Sequence, residues 1–396
     1  MINVAIIGTG NISRAHIDGY LAFPKRCKIT HLVDIFPDRA EQKKKDFNLK
    51  DARVYDSHKK ILKDPSIHLV SICTPPYVHG EISIDFLKNN VNVIVEKPMA
   101  SSLKECDAMI KTAKKTGKIL CPVAQNRFRD PVYNLKKTLD KGLIGKVVHT
   151  QVNSLWWRGH CYYDLWWRGT WEKEGGGCTL NHAVHHIDML GWMLGRPEKV
   201  SAIMSNTSHD NAEVEDISLA AMIYKGTNLT AKGALAQVTS SVIHHGEEQE
   251  IIFQGERARI SAPWRVYAST SMPNGFPKEN STLTKELDSF YYKLPKLKYS
   301  GHTGQIDDVL SSIEKGSDYL IKGADGRLTV ELITAIYKAS IEERTVSLPI
   351  KNNDPYYTSE GLMERAPRFY KKKTSVNELK GSITLGNEYN RISRKQ

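Results

Sequence analysis

The sequence lacks the features that mark membrane proteins and disulfide-stabilised secreted domains. No apolar run reaches the roughly 18 residues that a membrane-spanning helix needs. The six cysteines in 396 residues include no C-x-x-C pair, and their spacing suggests no disulfide framework. The first apolar run already forms part of the glycine motif described below, which leaves no room for a signal peptide. We therefore expect a protein of the reducing cytoplasm that has no membrane contact.

Acidic residues are fewer than basic ones, since 56 Lys and Arg accompany 44 Asp and Glu and give a net charge of +12. Such an excess suggests binding to nucleic acid or to an anionic surface. About half of it lies between Glu364 and Gln396, where nine basic residues accompany three acidic ones. We therefore expect no nucleic-acid partner. Residues 351–396 are predicted to be a basic C-terminal extension that is solvated or contacts a neighbouring subunit.

The first part of the chain alternates apolar runs with helical patterns. The apolar runs cover residues 3–7, 27–33, 68–73, 91–95 and 119–124. Strands that alternate with helices indicate an α/β fold with a doubly wound parallel sheet, in which ligands bind where the carboxyl ends of the strands meet the following loops. Later strand-like runs, from residue 147 to residue 254, are typical of a second, mainly antiparallel sheet.

The glycine motif after the first strand predicts a dinucleotide site. Gly8 permits a tight turn, Gly10 lets the backbone approach a pyrophosphate, and Ser13 is small enough to keep the next helix close to the sheet. Asp34 ends the second strand, where a carboxylate accepts hydrogen bonds from the adenosine ribose and repels a 2′-phosphate. We expect NAD rather than NADP as the cofactor. Arg39 lies close enough in sequence to leave NADP open, and a purely structural turn is the alternative to a cofactor site.

Five motifs together resemble those of the Gfo/Idh/MocA oxidoreductases, the relatives of glucose–fructose oxidoreductase and inositol dehydrogenase. They are Gly8–Ser13, Thr74-Pro75-Pro76-Tyr77-Val78-His79, Glu96-Lys97-Pro98-Met99-Ala100, Gly175-Gly176-Gly177 with His185 and Ile187-Asp188, and Glu331–Ser340 followed by Val346–Pro349. The resemblance implies an N-terminal Rossmann domain over residues 1–126. It also implies a substrate-binding and oligomerisation α+β domain over residues 127–350, whose open, mainly antiparallel sheet pairs subunits into homodimers or homotetramers.

The resemblance further implies which residues contact the cofactor. They are Gly8, Gly10, Asn11, Ile12, Asp34, Arg39, Thr74, Pro75, His79, Glu96, Lys97, Asn126 and Arg168. Asn126 and Arg127 follow the fifth strand, in a stretch that lies near the nicotinamide and the substrate in the family. Arg127 is accordingly a predicted substrate contact, and a domain hinge is the alternative role for this stretch.

Three side chains are the predicted catalytic residues. Lys97 would hydrogen-bond an oxidisable hydroxyl and stabilise its developing negative charge, and the resemblance implies a cis bond to Pro98. His185 is the expected general base, because histidine titrates near neutral pH. The resemblance places a catalytic Asp at position 181, where this chain has Asn181, which can orient a hydroxyl but cannot share a proton. The spacing predicts that Asn181, His185 and Asp188 share neighbouring faces of one helix.

The same segment also raises the question of a metal. His182 and His186 are four residues apart, and Cys178 lies nearby. No H-E-x-x-H glutamate lies between the two histidines, and no cysteine pair completes a zinc set. We expect no metal there, and His182 is a predicted substrate contact instead.

Five of the seven tryptophans lie between Trp156 and Trp171, directly before the triple glycine. Indole faces stack on the C–H faces of sugar rings, and Arg168 within this segment could donate to hydroxyls or to the cofactor. We therefore predict a substrate wall, with packing or a subunit contact as the alternative. Its members are Trp157, Tyr163 and Trp167.

These features predict an NAD-dependent dehydrogenase that acts on a secondary hydroxyl of a sugar. Family members with a similar Arg-Gly-Thr-Trp stretch resemble pyranoside or glycoside dehydrogenases, some of which oxidise the ring 3-hydroxyl to a 3-keto sugar, and we favour that position. One alternative is a glycosidase that keeps NAD bound and re-reduces the sugar within each turnover. Another is a non-enzymatic dinucleotide-binding regulator, which the presence of Lys97 and His185 disfavours.

Overall fold

The computed structural model describes residues 1–377 and Leu379. Two compact units make up the chain. The first contains Met1–Phe128, Leu297–Val330 and Tyr357–Ser359, and the second contains Arg129–Lys296, Glu331–Tyr356 and the described residues from Glu360 onward. Of the predicted basic extension, residue 378 and residues 380–396 lie outside the described residues.

Both strands and helices occur along most of the chain. The strands are β1 (Ile2–Ile7), β2 (Cys27–Val33), β3 (Arg53–Tyr55), β4 (Leu69–Ile72), β5 (Asn92–Val95), β6 (Leu120–Pro122), β7 (Val147–Leu155), β8 (Lys199–Ser205), β9 (Ile217–Ile223), β10 (Thr230–Ser241), β11 (Gln249–Gly255), β12 (Ala258–Ala262), β13 (Val266–Ser271), β14 (Pro277–Glu279) and β15 (Val346–Ser347). The helices are α1 (Ser13–Leu21), α2 (Pro37–Asp46), α3 (His79–Lys88), α4 (Leu103–Thr116), α5 (Asp130–Asp140), α6 (Cys178–Asn181), α7 (Val184–Leu194), α8 (Ser281–Lys293), α9 (Gly301–Lys315), α10 (Gly323–Ile341) and α11 (Ser359–Arg365). Within the described part of the chain, none of these helices combines the length and the apolar character that a membrane span requires.

The first unit is built on a parallel six-stranded sheet with the strand order β3-β2-β1-β4-β5-β6. Its central strands are near-continuous apolar runs because they are buried on both faces, as Val4, Ile6 and Val70 show. The strand order reverses between β1 and β4, which is where sheets of this type hold a dinucleotide. The doubly wound parallel sheet predicted from the sequence is confirmed.

The second unit contains a nine-stranded sheet with the order β14-β13-β12-β11-β7-β10-β9-β8-β15. Strands β7 and β10 pair in parallel, and the other pairs are antiparallel, which confirms the predicted mainly antiparallel sheet. Burial alternates along β9, where Ala220 and Met222 are buried and Leu219 is exposed. One face of this part of the sheet is therefore covered and the other is open, with Ile203 and Leu235 also exposed on the neighbouring strands. Helix α8 and strands β12, β13 and β14 were not anticipated from the sequence.

The segment after the triple glycine forms two helices, whereas the sequence predicted one. Helix α6 ends at Asn181, and α7 begins three residues later. The two N–H groups between the helices both donate to the carbonyl oxygen of Cys178, at 3.0 Å. Asn181 and His185 therefore belong to different helices, and the predicted spacing along one helix is wrong for this pair. His185 and Asp188 do share α7.

Residues 367–376 of the basic extension pack within the second unit. The indole nitrogen of Trp171 donates to the carbonyl oxygen of Pro367 at 2.8 Å. The backbone N–H of Val376 donates to the carbonyl oxygen of Asp164 at 2.7 Å. Residues 367–376 thus contact their own chain, which the sequence did not predict, while most of these residues are exposed.

Candidate active site

In the first unit, the predicted cofactor residues follow neighbouring strands at the carboxyl edge of the parallel sheet. Gly8 follows β1, Thr74 follows β4, Lys97 follows β5, and Asn126 lies in the short 3₁₀ turn Gln125–Phe128 after β6. Chain order alone would not bring these loops together, but adjacent parallel strands do. The sheet therefore groups these predicted cofactor contacts of the first unit along one edge.

The turn from β1 into α1 requires glycine at its first position. Gly8 has a φ of +89°, and a Cβ added there would lie 2.8 Å from the carbonyl oxygen of Cys73, just after β4. A Cβ added to Gly10 would meet nothing within 4 Å. Ser13 is fully buried, and its hydroxyl donates to the carbonyl oxygen of Gly10 at 2.6 Å. Gly8 thus closes the loop against β4, and the space beside Gly10 fits the close approach of a pyrophosphate.

Asp34 binds the glycine loop as well as ending β2. Its Oδ2 accepts hydrogen bonds from the backbone N–H and the hydroxyl of Thr9, both at 2.8 Å, and its Oδ1 accepts from the N–H of Phe36 at 3.0 Å. The Arg39 guanidinium lies 4.3 Å from the centroid of the Phe36 ring. The sequence pointed to Asp34 as a ribose ligand, and its second role in holding the loop was missed.

Two of the predicted cofactor contacts carry buried polar atoms that this part of the protein leaves unsatisfied. Thr74 Oγ1 and Asn126 Oδ1 are inaccessible to solvent and have no hydrogen-bond partner among the described residues. Buried polar groups in native proteins are nearly always paired, so unpaired ones at a ligand-binding edge point to a polar ligand. Together with the open space at Gly10, this fits a bound dinucleotide.

His79 plays a different role from the cofactor contact that was predicted. The side chain is fully buried, and its two ring nitrogens lie 2.8 Å from the carbonyl oxygens of Pro98 and Thr74. Burial lowers the pKa of His79, although both carbonyl contacts oppose this shift. Because backbone groups occupy both of its polar atoms, His79 joins the loops after β4 and β5 and does not present a nitrogen to the cofactor.

Glu96 likewise lies in a buried cluster, which corrects its predicted cofactor contact. Its Oε1 is 2.9 Å from Nε2 of His16 and 3.4 Å from Nε2 of His302, and its Oε2 accepts from the N–H of Lys97 at 3.1 Å. Burial alone would raise the pKa of Glu96, but hydrogen bonds from the two histidines hold it well below its usual value. For His16, burial lowers the pKa, and contacts with Cys73 and Glu96 more than offset this and raise it to about 10.

The residues around Glu96 were not identified from the sequence. His16 lies on the buried face of α1, where a histidine among apolar residues was the available signal, and His302 comes from α9, far along the chain. The donor atoms of His16, Glu96 and His302 lie within 4.8 Å of one another, a spacing that a metal could use. The hydrogen bonds already account for all three side chains, so we assign no metal to them.

Lys97 follows this cluster directly. The Lys97–Pro98 peptide bond is cis, as the resemblance implied. The lysine residue is half-buried, and its backbone N–H is held by the preceding carboxylate. The backbone of the predicted catalytic lysine is thus attached to a buried cluster.

Arg127 was predicted to contact substrate, and the structure contradicts this. The residue is 1% exposed, and its Nη1 lies 3.0 Å from Oδ1 of Asp325. The pairing residue is 198 positions away in the chain, so no local pattern could reveal it. Arg127 and Asp325 thus form a structural ion pair within the first unit, in which the arginine is buried.

In the second unit, the Trp-rich segment divides into buried and accessible residues. Trp156 and Trp171 are buried, and Trp157 is 46% exposed and stacks on His245 with ring centroids 5.6 Å apart. Trp167 is half-buried. The alternative of core packing therefore applies to Trp156 and Trp171, whereas Trp157 and Trp167 remain accessible and their place in a substrate wall stays a prediction.

Tyr163 belongs to the core, which corrects its assignment to the substrate wall. It is 1% exposed, and its ring packs edge-on against Tyr162 and His209. Tyr162 is the more accessible of the two tyrosines, and its hydroxyl lies 3.3 Å from Nε2 of His182. Adjacent tyrosines look alike in sequence, so only the fold could show that Tyr162, and not Tyr163, faces the predicted site residues.

Arg168 connects the aromatic segment to a buried carboxylate. Its guanidinium lies 4.2 Å from the ring centroid of Tyr162 and 4.3 Å from that of Trp167. Its Nη1 is 2.9 Å from Oε1 of Glu174. Arg168 was predicted to contact the cofactor, and the structure shows it stacked between two rings and paired with Glu174.

Glu174, which directly precedes the triple glycine, was not identified from the sequence. Its side chain is inaccessible to solvent, and it accepts hydrogen bonds from Arg168, from the side-chain amide of Asn181 and from the N–H of Gly169 at 2.5 Å. Burial raises the pKa of Glu174 to about 7, although Arg168 and Gly169 oppose the shift. Glu174 thus contacts the residue that stands where the family has its catalytic Asp.

The triple glycine packs against a second buried carboxylate. Oε2 of Glu215 accepts from the N–H of Gly177, and its Oε1 accepts from the N–H of Thr179 and from the hydroxyl of Tyr337, each at 3.0 Å. A Cβ at Gly177 would overlap the carbonyl oxygen of Glu215. The close approach explains why glycine is needed there and places a carboxylate at the N-terminus of α6.

The remaining histidines of this segment differ in their surroundings. His182 is buried, with its ring centroid 5.7 Å from that of Trp156. His186 is buried too, and burial together with Arg129 lowers its pKa to about 4, which keeps the ring neutral. His185 is half-buried in the first turn of α7. Among the described residues, the clusters with metal-like spacing contain none of these three.

Two family models match this chain. A Gfo/Idh/MocA model described as "Oxidoreductase family, NAD-binding Rossmann fold" matches residues 2–124. The model of the Gfo/Idh/MocA C-terminal domain matches residues 132–261. Together they cover residues 2–124 and 132–261, which include Gly8, Lys97, Glu174 and Glu215.

Similar proteins act on polyols and sugars. The chain is 26% identical over 336 residues to scyllo-inositol 2-dehydrogenase (NADP(+)) IolW of Bacillus subtilis, which covers 79% of this chain and 87% of that protein. It is 30% identical over 213 residues to levoglucosan dehydrogenase of Pseudarthrobacter phenanthrenivorans, covering 52% of this chain and 54% of that protein. The crystal structure of the WlbA dehydrogenase from Bordetella pertussis, in complex with NADH and UDP-GlcNAcA, is 25% identical, has a TM-score of 0.75, and covers 88% of this chain and 98% of that chain.

Proposed function

Because this chain belongs to the Gfo/Idh/MocA family of oxidoreductases, we propose that it oxidises a secondary hydroxyl of a sugar or glycoside with NAD as the hydride acceptor. One observation carries the proposal most directly. Lys97 follows β5, and the strands on either side lead to the unsatisfied atoms Thr74 Oγ1 and Asn126 Oδ1. This edge of the sheet carries a half-buried lysine, and the loops after the two neighbouring strands carry polar atoms that have no partner among the described residues.

The proposed reaction removes two electrons and two protons from a carbinol group. NAD, when bound, supplies the carbon that accepts the hydride. His185 takes the hydroxyl proton as general base, and the ammonium group of Lys97 stabilises the oxygen as negative charge develops on it. Asn181 orients the hydroxyl by a hydrogen bond. The products are a ketone, the reduced cofactor and a protonated His185, which returns its proton to water.

The aromatic residues of the second unit support a sugar as the substrate. Trp157 is exposed, Trp167 is half-buried, and an indole face stacks on the C–H face of a pyranose ring. The relatives named above are dehydrogenases of an inositol and of levoglucosan. Within this class we propose a glycoside as the substrate and its ring 3-hydroxyl as the oxidised group.

A substrate screen tests this proposal. Purified protein is incubated with NAD and a panel of inositols, free sugars and glycosides, and NADH formation is followed by absorbance. We expect NADH with at least one glycoside and a 3-keto product by NMR. If no polyol, sugar or glycoside is oxidised, the proposal fails. Cleavage of a chromogenic glycoside without net NADH would favour the redox-neutral glycosidase, and NAD binding without any turnover would favour a regulator.

We also propose that the open face of the second sheet pairs subunits. Ile203, Leu219 and Leu235 are each at least half exposed on neighbouring strands of this face. Apolar side chains that are contiguous and exposed on a sheet mark an interaction surface. Light scattering should give a dimer or tetramer, and the triple replacement by Ser at these positions should yield a smaller species. A monomeric wild-type protein would contradict the proposal.

A further inference from the structure

Three hydrogen-bond donors meet the two carboxylate oxygens of Glu174. Arg168 Nη1 and Asn181 Nδ2 contact Oε1, and the N–H of Gly169 contacts Oε2. The side chain of Glu174 is inaccessible to solvent, so water cannot replace any of these contacts. A carboxylate satisfies all three donors, whereas an amide of the same shape has only one acceptor oxygen and would leave at least one donor facing an NH₂ group.

This arrangement determines which way the Asn181 amide faces. A primary amide has a donor end and an acceptor end, and a carboxylate accepts hydrogen bonds only from the donor end. Glu174 therefore holds Nδ2 on its own side and turns Oδ1 of Asn181 away from itself. Asn181 is half-buried at the end of α6, just before the break that leads to α7 and His185.

We infer that Glu174 is a positioning residue, an inference that rests on the proposed function. Glu174 fixes the side-chain amide of Asn181 so that Oδ1 of Asn181 is directed to the substrate hydroxyl. An oriented Oδ1 accepts the hydroxyl hydrogen bond that the family's Asp accepts at this position, and it carries no charge of its own. At a pH above about 7, where Glu174 is ionised, the negative charge is located one side chain further from the reaction, on Glu174, where it is buried and paired with Arg168. The chain thus keeps an acceptor at position 181 and moves the carboxylate to position 174.

An exchange of the two side chains tests this inference. Glu174→Gln lets the Asn181 amide invert and should lower kcat/KM at least tenfold. Asn181→Asp places two carboxylates in contact and should lower kcat/KM by a similar factor or more. The double variant Glu174→Gln/Asn181→Asp restores one carboxylate and one amide in contact, so its kcat/KM should recover to within a few-fold of wild type. Glu331→Gln is the matched control, because Glu331 is also a buried carboxylate paired with an arginine, Arg196, and it should leave kcat/KM unchanged.

Thermal unfolding of wild type and of the same four variants provides a readout that does not depend on substrate. The double variant should unfold at a higher temperature than Asn181→Asp alone, because the exchange removes the contact between two carboxylates. If the effects of the two single replacements simply add in the double variant, for both kcat/KM and the unfolding temperature, the inference is overturned. If thermal unfolding shows recovery but wild type oxidises no sugar or polyol, the Glu174–Asn181 contact stands and the proposed function fails. Recovery in thermal unfolding without recovery in kcat/KM on an active substrate would reduce Glu174 to a purely structural residue and overturn the inference.

Discussion

Nε2 of His16 lies 2.9 Å from Oε1 of Glu96, and both side chains are buried. This contact joins the helix that follows the glycine loop to the residue that precedes Lys97. The glycine loop and Lys97, the proposed catalytic lysine, are therefore linked through one buried pair. His302 adds a second imidazole to the same carboxylate oxygen.

Replacing Glu96 should destabilise the first unit strongly. In Glu96→Ala, His16 and His302 remain buried without their carboxylate, and the loss of one partner from a buried pair costs about 3–5 kcal/mol. Urea unfolding at neutral pH measures the change. Glu81→Ala is the control, since Glu81 pairs with Lys59 at the surface and such pairs contribute about 0–1 kcal/mol. Equal free energies of unfolding for the two variants would contradict a stabilising role for the buried cluster.

Lys97→Ala should abolish most turnover and leave cofactor binding nearly intact. We propose that the Lys97 amine stabilises negative charge in the transition state, so we expect kcat to fall by about 10²–10⁴. NAD binding, measured by fluorescence or calorimetry, should change only slightly. Lys88→Ala, at the exposed end of α3 in the same unit, serves as the control and should keep wild-type kcat. Turnover by Lys97→Ala at the wild-type rate would exclude a catalytic role for the lysine.

The features that could be predicted from the sequence are those with a local signal. Apolar runs that end in glycine or proline identified the strands of the parallel sheet, and a tight turn explains Gly8. The burial of Arg127 depends on Asp325, and no local pattern reports such a distant partner. Strands β13 and β14 are short and mostly exposed, and β12 is a mostly buried run of five residues that includes Arg259 and Ser261, so their apolar pattern is weak.

In the candidate site, too, features with a local sequence signal could be predicted, and features that depend on tertiary contacts could not. The triple glycine was visible in the sequence, but the break between α6 and α7 was not, because no proline or glycine marks it. The choice between Tyr162 and Tyr163 depends on packing against His209 and His182. Glu174 was overlooked because a single glutamate before a glycine run carries no signal until its buried partners are known.

Asp34 should determine the choice between NAD and NADP. In Asp34→Ala the carboxylate that repels a 2′-phosphate is lost, and Thr9 loses its acceptor. We expect the KM for NAD to rise about tenfold and the ratio of kcat/KM for NADP over NAD to increase. Asp34→Asn keeps an acceptor for Thr9 but removes the negative charge. This variant therefore separates the repulsion of a 2′-phosphate from the support that Asp34 gives to the glycine loop. Asp38→Ala, on the exposed first turn of α2, is the control, and an identical cofactor ratio in Asp34→Ala and wild type would contradict the assignment.

Glu174 should make the protein less stable as the pH rises through its titration range. Burial raises the pKa of this carboxyl from 4.5 to about 7, so the folded protein binds more protons than the unfolded chain between these values. The stability contribution is therefore fully present below pH 4.5 and is lost as the pH rises to about 7. The groups that face Glu174 are Arg168, which opposes the shift, and Glu215, which adds to it.

Comparison with Glu174→Gln isolates this contribution from that of other groups. The free energy of unfolding of wild type should fall between these two pH values by on the order of 3 kcal/mol more than that of the variant. Urea unfolding across this pH range measures both curves. Glu331→Gln controls for the loss of a buried carboxylate, and parallel curves for wild type and Glu174→Gln would show that Glu174 does not titrate there.

Residues 367–376 should be needed for the shape of the Trp-rich segment. Their contacts reach the middle and the C-terminal end of it, since Pro367 accepts from the Trp171 indole and Val376 pairs with the backbone at Asp164 and Trp166. Lys372 also donates to the carbonyl oxygen of the buried Tyr163. Truncation after Arg365 removes these contacts together and frees the segment that carries Trp167 and Arg168.

We expect this truncation to raise the KM for the sugar about tenfold, because binding depends on aromatic side chains held in place, while the affinity for NAD stays close to wild type. The measurement is steady-state kinetics with each substrate varied in turn. Truncation after Leu379 is the matched control, since it keeps the contacts of residues 367–376 and removes only residues 380–396. If both truncated proteins bind the sugar as wild type does, residues 367–376 do not hold the Trp-rich segment in its binding conformation. If both lose affinity equally, the effect comes from the residues after Leu379, and the contacts of residues 367–376 do not account for it.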